Sequence, residues 1–229
     1  MQLNHFNDSD LLNEQFVKDM TTILGEAIAE RGQAYLVVSG GSTPKTLFQR
    51  LAKADLDWQK VTITLADERC VAPTDPDSNE TLVRHYLLKH QAANARFISL
   101  HSNKTTEAER LLDIEERLKA LPVFDIVILG MGEDGHTASL FPCSEQIDAG
   151  LHDERLIVLN IVPKTAPYPR ISLSKNRLLK SRHVYLHLVG EKKLAVLNLA
   201  LASDEATAMP IRAFLQHPGT DVQVMFAAQ

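Results

Sequence analysis

The sequence predicts an α/β protein built on a mostly parallel sheet with helices on both faces. Three observations carry that expectation. Short, continuously apolar runs recur along the chain, as strands buried on both faces require. Amphipathic helical patterns alternate with them. The composition, 45% hydrophobic and 23% charged over 229 residues, is that of a globular chain and excludes disordered, collagen-like and disulfide-stapled classes.

The elements follow in order. Ser9–Arg31 is predicted as a helix, because Leu12, Phe16, Met20, Ile23, Leu24 and Ala27 share one stripe and Gly32 stands where a C′ glycine belongs. Ala34–Ser39 then reads as a strand buried on both faces, followed by a helix over Pro44–Lys53. A second apolar run spans Val61–Ala66, and a helix over Asn79–Lys89 follows with Ser78 as its N-cap. Thr106–Ala120 opens with a capping box, Thr106 and Glu109, and Phe124–Leu129 is the next strand. Arg155–Val162 and His183–Val189 read as strands, Glu191–Ala202 as a helix and Val222–Phe226 as the last strand. Two Pro-containing stretches, Phe141–Asp153 and Pro163–Arg170, are linker-like, but composition does not change across them, so one domain over residues 1–229 is expected.

Charge and cysteine content narrow the function classes. Lys+Arg 24 against Asp+Glu 29 gives a net charge of −5. A mildly acidic chain lacks the basic surface on which nucleic-acid affinity rests, so no nucleic-acid partner is expected. Cys70 and Cys143 are too few for a disulfide framework. Met1–Asp8 shows neither a basic region nor a following apolar stretch, and no run of about 18 apolar residues occurs, so a soluble, cytoplasmic protein without membrane partners is expected.

In sheets of this kind ligands bind at the carboxyl ends of the strands, so the loops after the strands are where chemistry is sought. The first is Ser39-Gly40-Gly41-Ser42-Thr43-Pro44. Gly40 and Gly41 permit a tight turn and close backbone approach, Ser42 and Thr43 offer hydroxyls at the N-cap, and Pro44 suits the N1 position. That is either an ordinary capped turn or an anion site on helix amides, and the pairing of two glycines with two hydroxyls favours the anion. It is not a Walker loop, since no Gly-Lys-Ser/Thr follows.

The second loop, Asp67-Glu68-Arg69-Cys70, suits either a solvated ion-pair cluster or a site for sugar hydroxyls or an oxyanion. Cys70 lies beside Arg69 but has no histidine near it in sequence and is read as unreactive. The third, Gly130-Met131-Gly132-Glu133-Asp134-Gly135-His136, satisfies G-x-G-x-x-G after a strand. A dinucleotide site also needs an acid at the end of the following strand, where Arg155–Val162 places Asn160, so a nicotinamide cofactor is not expected. Asp134 two residues before His136 is instead suited to orient an imidazole as a general base.

Arg170 and Lys193 are the basic residues of interest in the second half. A lysine at the start of a helix, like Lys193, either decorates a solvated face or clamps a phosphate beside helix amides. His183 and His187 are four apart on a strand pattern with no carboxylate to complete a triad, so no metal is expected.

Taken together, Ser39–Pro44, Asp67–Arg69 with Ser78-Asn79, the thirteen residues Gly130–Pro142, Arg170–Ser174 and Gly190–Lys193 resemble the 6-phosphogluconolactonase family, in the family's order and over residues 39–193. The resemblance implies a Rossmann-like three-layer α/β/α fold shared with glucosamine-6-phosphate deaminases and ribose-5-phosphate isomerases. It implies hydrolysis of 6-phospho-D-glucono-1,5-lactone to 6-phosphogluconate, with a sugar-phosphate lactone as the small-molecule partner and no cofactor. Ala72 stands where the family often has proline, a change in loop stiffness. On the residues, His136 steadied by Asp134 would activate water, and Arg69 or loop amides would stabilise the oxyanion. Gly40, Gly41, Ser42, Thr43, Asp67, Arg170 and Lys193 would bind substrate and phosphate. An aminosugar-phosphate isomerase or deaminase of the same fold is the alternative, disfavoured because Ala138-Ser139-Leu140-Phe141-Pro142 has no ring-opening acid. A non-catalytic sugar-phosphate sensor would carry a helix-turn-helix, for which the residues before Val37 leave no room. A monomer or small homo-oligomer is expected.

Overall fold

The computed structural model describes residues 1–229. Seven strands form one sheet in which every neighbouring pair is parallel. They are β1 (Gln2–Phe6), β2 (Ala34–Val38), β3 (Val61–Leu65), β5 (Arg96–Ile98), β6 (Phe124–Leu129), β9 (Ser181–Val189) and β10 (Val222–Ala227), in the order β1-β10-β9-β6-β2-β3-β5. A second, antiparallel sheet takes β4 (Asp67–Arg69), β8 (Arg170–Leu173) and β7 (Val158–Ile161) in that order. The helices are α1 (Ser9–Arg31), α2 (Lys45–Leu51), α3 (Asn79–Tyr86), α4 (Glu107–Lys119), α5 (Ile147–His152), α6 (Lys175–Leu179), α7 (Glu191–Leu201) and α8 (Arg212–Leu215). No helix is long and apolar enough to cross a membrane.

The predicted elements are present with ends shifted by a few residues. On α1, Leu12, Phe16, Met20, Leu24 and Ala27 are fully buried, and Gly32 ends the helix in the left-handed region at φ 79°. Burying each large apolar side chain favours folding by about 1.5–3 kcal/mol, so this stripe fixes which face of α1 meets the sheet. All six residues of β6 are buried, as a central parallel strand demands. Ser78 caps α3 and the Thr106–Glu109 capping box opens α4. The apolar side chains form one cluster of 55 buried residues.

Three expectations are corrected, and one strand is present where none was assigned. Arg155–Val162 contributes only Val158–Ile161, and that strand lies in the antiparallel sheet. Asp67–Arg69 is a short strand, because Ala66 hands the chain from the large sheet to the small one: its N–H bonds Val38 and its carbonyl accepts from Leu173. Phe141–Asp153 contains a helix, Ile147–His152. A strand, Gln2–Phe6, precedes α1.

Candidate active site

Chain order runs from β2 to β3 and β5 on one side, then returns to β6 on the other side of β2. The carboxyl ends of β2 and β6 therefore flank the point where strand order reverses, the usual ligand position in open α/β sheets. A cavity of about 300 Å³ opens there. Gly40, Gly41, Ser42, Thr43, Asp67, Arg69, His136, Arg170 and Lys193 all line it, and Asp134 supports His136 from behind. The structure thus brings together every site residue expected from the sequence.

The first loop is not a helix cap. Helix α2 begins at Lys45, Pro44 occupies its N-cap position, and neither the Ser42 nor the Thr43 hydroxyl bonds its first turn. What the loop offers is its own backbone. Gly41 has φ 94°, and the N–H groups of Gly40, Gly41, Ser42 and Thr43 donate to no protein acceptor. Successive free amides around a left-handed residue form an anion-binding concavity without help from a helix dipole. Gly40 is dictated by contact, since a Cβ there would lie 1.8 Å from Asn79 Oδ1.

The second loop divides its acids. Glu68 accepts from the N–H groups of Asn79 and Glu80, both at 2.7 Å, and so caps α3. Burial raises its pKa despite those bonds, which oppose it. Asp67 is only 6% exposed and accepts Ser139 Oγ at 2.5 Å and Asn79 Nδ2 at 3.3 Å, so its carboxylate joins the second and third loops at the cavity wall. Arg69 Nη1 donates to Asp77 O at 2.6 Å, and its buried Nε has no partner.

The third loop is knit shut by Gly132 N–H to His136 O at 2.8 Å, Thr137 Oγ1 to Gly130 O at 2.8 Å and Ile211 N–H to Gly135 O at 2.9 Å. No helix follows it directly, which is a second reason it does not act as a dinucleotide turn. His136 Nδ1 lies 2.5 Å from Asp134 Oδ1, which also accepts the His136 N–H at 3.1 Å. Burial pushes the Asp134 carboxyl up, but its bonds to His136 and the imidazole charge outweigh this and hold it below its usual value. With Nδ1 engaged, Nε2 is the nitrogen left for chemistry. Phe141 stacks on the ring with centroids 4.1 Å apart.

Three cations, Arg69, Arg170 and Lys193, line the same cavity as the imidazole without carboxylate partners of their own. Arg170, 7% exposed, donates through Nε and Nη2 to Pro167 O, and Lys193 Nζ donates to Met131 O at 2.7 Å. Burial, then the charge of Arg69, lowers the Arg170 pKa. Three His, Cys, Asp or Glu side chains suited to a metal do not converge at any point. The sequence reading gave no role to Asn79, Phe141 or His187, although Asn79 and Phe141 lie inside its motifs. Their positions depend on tertiary contacts that spacing does not reveal.

The chain is similar to known proteins over nearly its whole length. The family described as glucosamine-6-phosphate isomerases/6-phosphogluconolactonase matches residues 7–224. A 6-phosphogluconolactonase of Pseudomonas putida is 39% identical over 219 residues, 95% of this chain and 90% of that protein. A crystal structure of a 6-phosphogluconolactonase from Shewanella baltica superposes with a TM-score of 0.96 at 46% identity, covering 99% of this chain and 97% of the other. A monomeric glucosamine-6-phosphate deaminase, 17% identical with a TM-score of 0.83 over 99% of this chain and 97% of its own, shares the fold.

Proposed function

The chain belongs to the glucosamine-6-phosphate isomerase/6-phosphogluconolactonase family, and from that premise we infer how its site works as a lactonase. The reaction is hydrolysis of 6-phospho-D-glucono-1,5-lactone to 6-phosphogluconate in the pentose phosphate pathway, the activity carried by relatives that match over most of their length. The observation that carries the mechanism is the 2.5 Å bond between His136 Nδ1 and Asp134, set among Arg69, Arg170 and Lys193.

Water attacks the lactone carbonyl carbon as His136 Nε2 takes its proton, and Asp134 holds the tautomer and steadies the imidazolium. The carbonyl oxygen becomes an oxyanion, met by Arg69 or by loop amides. Collapse expels the ring oxygen, which takes the proton back from His136, and the new carboxylic acid ionises. The phosphate lies on the amides and hydroxyls of Gly40–Thr43, with Arg170 and Lys193 closing over it. Asp67 acts at the wall, bonded to Ser139 and Asn79. A lactone is already activated, so no covalent nucleophile is needed.

We read residues 1–229 as one domain, which the single hydrophobic cluster supports, and the protein as a cytoplasmic monomer or small homo-oligomer without nucleic-acid partners. The test is incubation with freshly made 6-phosphogluconolactone, following acid release above the spontaneous rate. No release above that rate would end the reading. Release of ammonia from glucosamine 6-phosphate would move it to the deaminase branch.

A further inference from the structure

Two neighbours confine the His136 ring beyond its bond to Asp134. A Cβ on Gly132 would lie 2.1 Å from Nδ1 and 2.2 Å from Cε1, so only a glycine leaves room for the imidazole there. Phe141 presents its ring to the imidazole at a centroid distance of 4.1 Å and an interplanar angle of 29°, a stacked pair. The same phenyl ring has the Arg170 guanidinium carbon 5.6 Å from its centroid. Phe141 is 3% exposed and does not reach the cavity. It touches both the proposed base and a proposed anion ligand from behind.

We propose that Phe141 is a positioning residue that sets the plane of the His136 imidazole and stabilises its protonated form through the face of the phenyl ring. An aromatic face carries negative potential and attracts a cation stacked on it. The cation arises only when water surrenders its proton, so the contact is stronger in the transition state than before it. Stacking alone also serves packing, so the dependence of the contact on the imidazole charge is what separates a positioning role from core filling. This inference rests on His136 being the base.

The charges facing the imidazole separate the contribution of the ring. Asp134 bonds the imidazole from within the loop, and Lys193 on α7, Arg69 on β4 and Arg170 on β8 line the same cavity. Asp67 is tied to Ser139 and Asn79. Loss of the phenyl ring removes a favourable contact, and any drift of Arg170 towards His136 acts in the same direction. Both lower the affinity of the imidazole for its proton.

The test is Phe141→Leu, with Phe141→Met as a second ringless variant and Phe141→Tyr as the variant that keeps the ring. The imidazole titration is followed by NMR, with His136→Ala assigning the resonance, beside the pH dependence of kcat/KM. The expected result is an acid limb and an imidazole titration shifted down by about 0.5–1 pH unit in the Leu and Met variants. Their kcat should fall about three- to tenfold, and Tyr should restore wild-type values. A shifted titration with an unshifted rate profile would uphold the contact and refute His136 as the base. A cooperatively folded Leu or Met variant that titrates like wild type would overturn the proposal.

Discussion

Arg69 and Arg170 stand directly opposite one another across the antiparallel β4–β8 pair. Like charges on paired positions are destabilising, and burial together with the neighbouring charge lowers the Arg170 pKa. Their other bonds go to backbone carbonyls, not to carboxylates. The fold holds two cations at a register that electrostatics alone would not select.

A bound anion should relieve that repulsion. At about a hundredfold excess over its Kd, inorganic phosphate should stabilise the protein by about 2.7 kcal/mol. Thermal unfolding should show a rise of several degrees that shrinks with added salt. Arg170→Met should lose most of this response. An unchanged wild-type melting temperature at every phosphate concentration would remove the anion site.

Lys193 should act on binding more than on turnover. Its ammonium rests on Met131 O at the cavity rim, and the substrate phosphate is remote from the scissile bond. Lys193→Ala should raise KM far more than it lowers kcat, and the unphosphorylated lactone should be a poor substrate. Equal turnover of gluconolactone and its 6-phosphate would refute this placement.

The His136–Asp134 pair should behave as a unit. General-base catalysis is typically worth about 10²–10⁴-fold, so His136→Ala should lower kcat by about that factor with little change in substrate affinity. Asp134→Asn should lose part of it, and the double variant should be little worse than His136→Ala. Rates must be corrected for spontaneous hydrolysis. Near-wild-type kcat in His136→Ala, with Asp67 or Glu68 variants dead, would move the base to the second loop.

Acid should weaken the fold through His187. This ring on β9 is 4% exposed, both its nitrogens lack partners, and burial pushes its pKa down to about 4. The unfolded chain binds the proton near 6.5, so between that pH and about 4 the unfolded state holds more protons and stability falls as pH falls. From pH 7 to 4.5 the loss from this residue is roughly 2–3 kcal/mol. His187→Phe, which keeps an aromatic ring against Phe16, should flatten the decline in denaturant titrations. Identical slopes in the two proteins would show that His187 is not the source.

The large sheet was legible because buried parallel strands are nearly continuous apolar runs, and Phe124–Leu129 is broken only by Asp125. The small sheet was not. Val158–Ile161 is as apolar as its parallel counterparts, so no pattern tells which sheet receives it, and Asp67–Arg69 is polar and three residues long. Gln2–Phe6 is an edge strand with exposed positions and too short a pattern to register. At the site, loop chemistry marked Ser42, Thr43, Asp134 and His136, because glycines and paired polar residues are local signals. The free amides in place of a cap, the partners of Asp67 and the stacking of Phe141 depend on segments far apart in sequence.

The placement of β10 between β1 and β9 governs how this chain can be synthesised. Asn4 and Gln223 are bonded across 219 residues, so β1 has no neighbour in the sheet until β10 emerges. Until then its edge is open to mispairing with other nascent chains. Pairing at such separation is slow, because loop closure precedes any reward in contacts. Chaperone demand should therefore persist until β10 has emerged, and a stop before Val222 should leave a chain whose site loops are all present but whose sheet lacks both strands beyond β9.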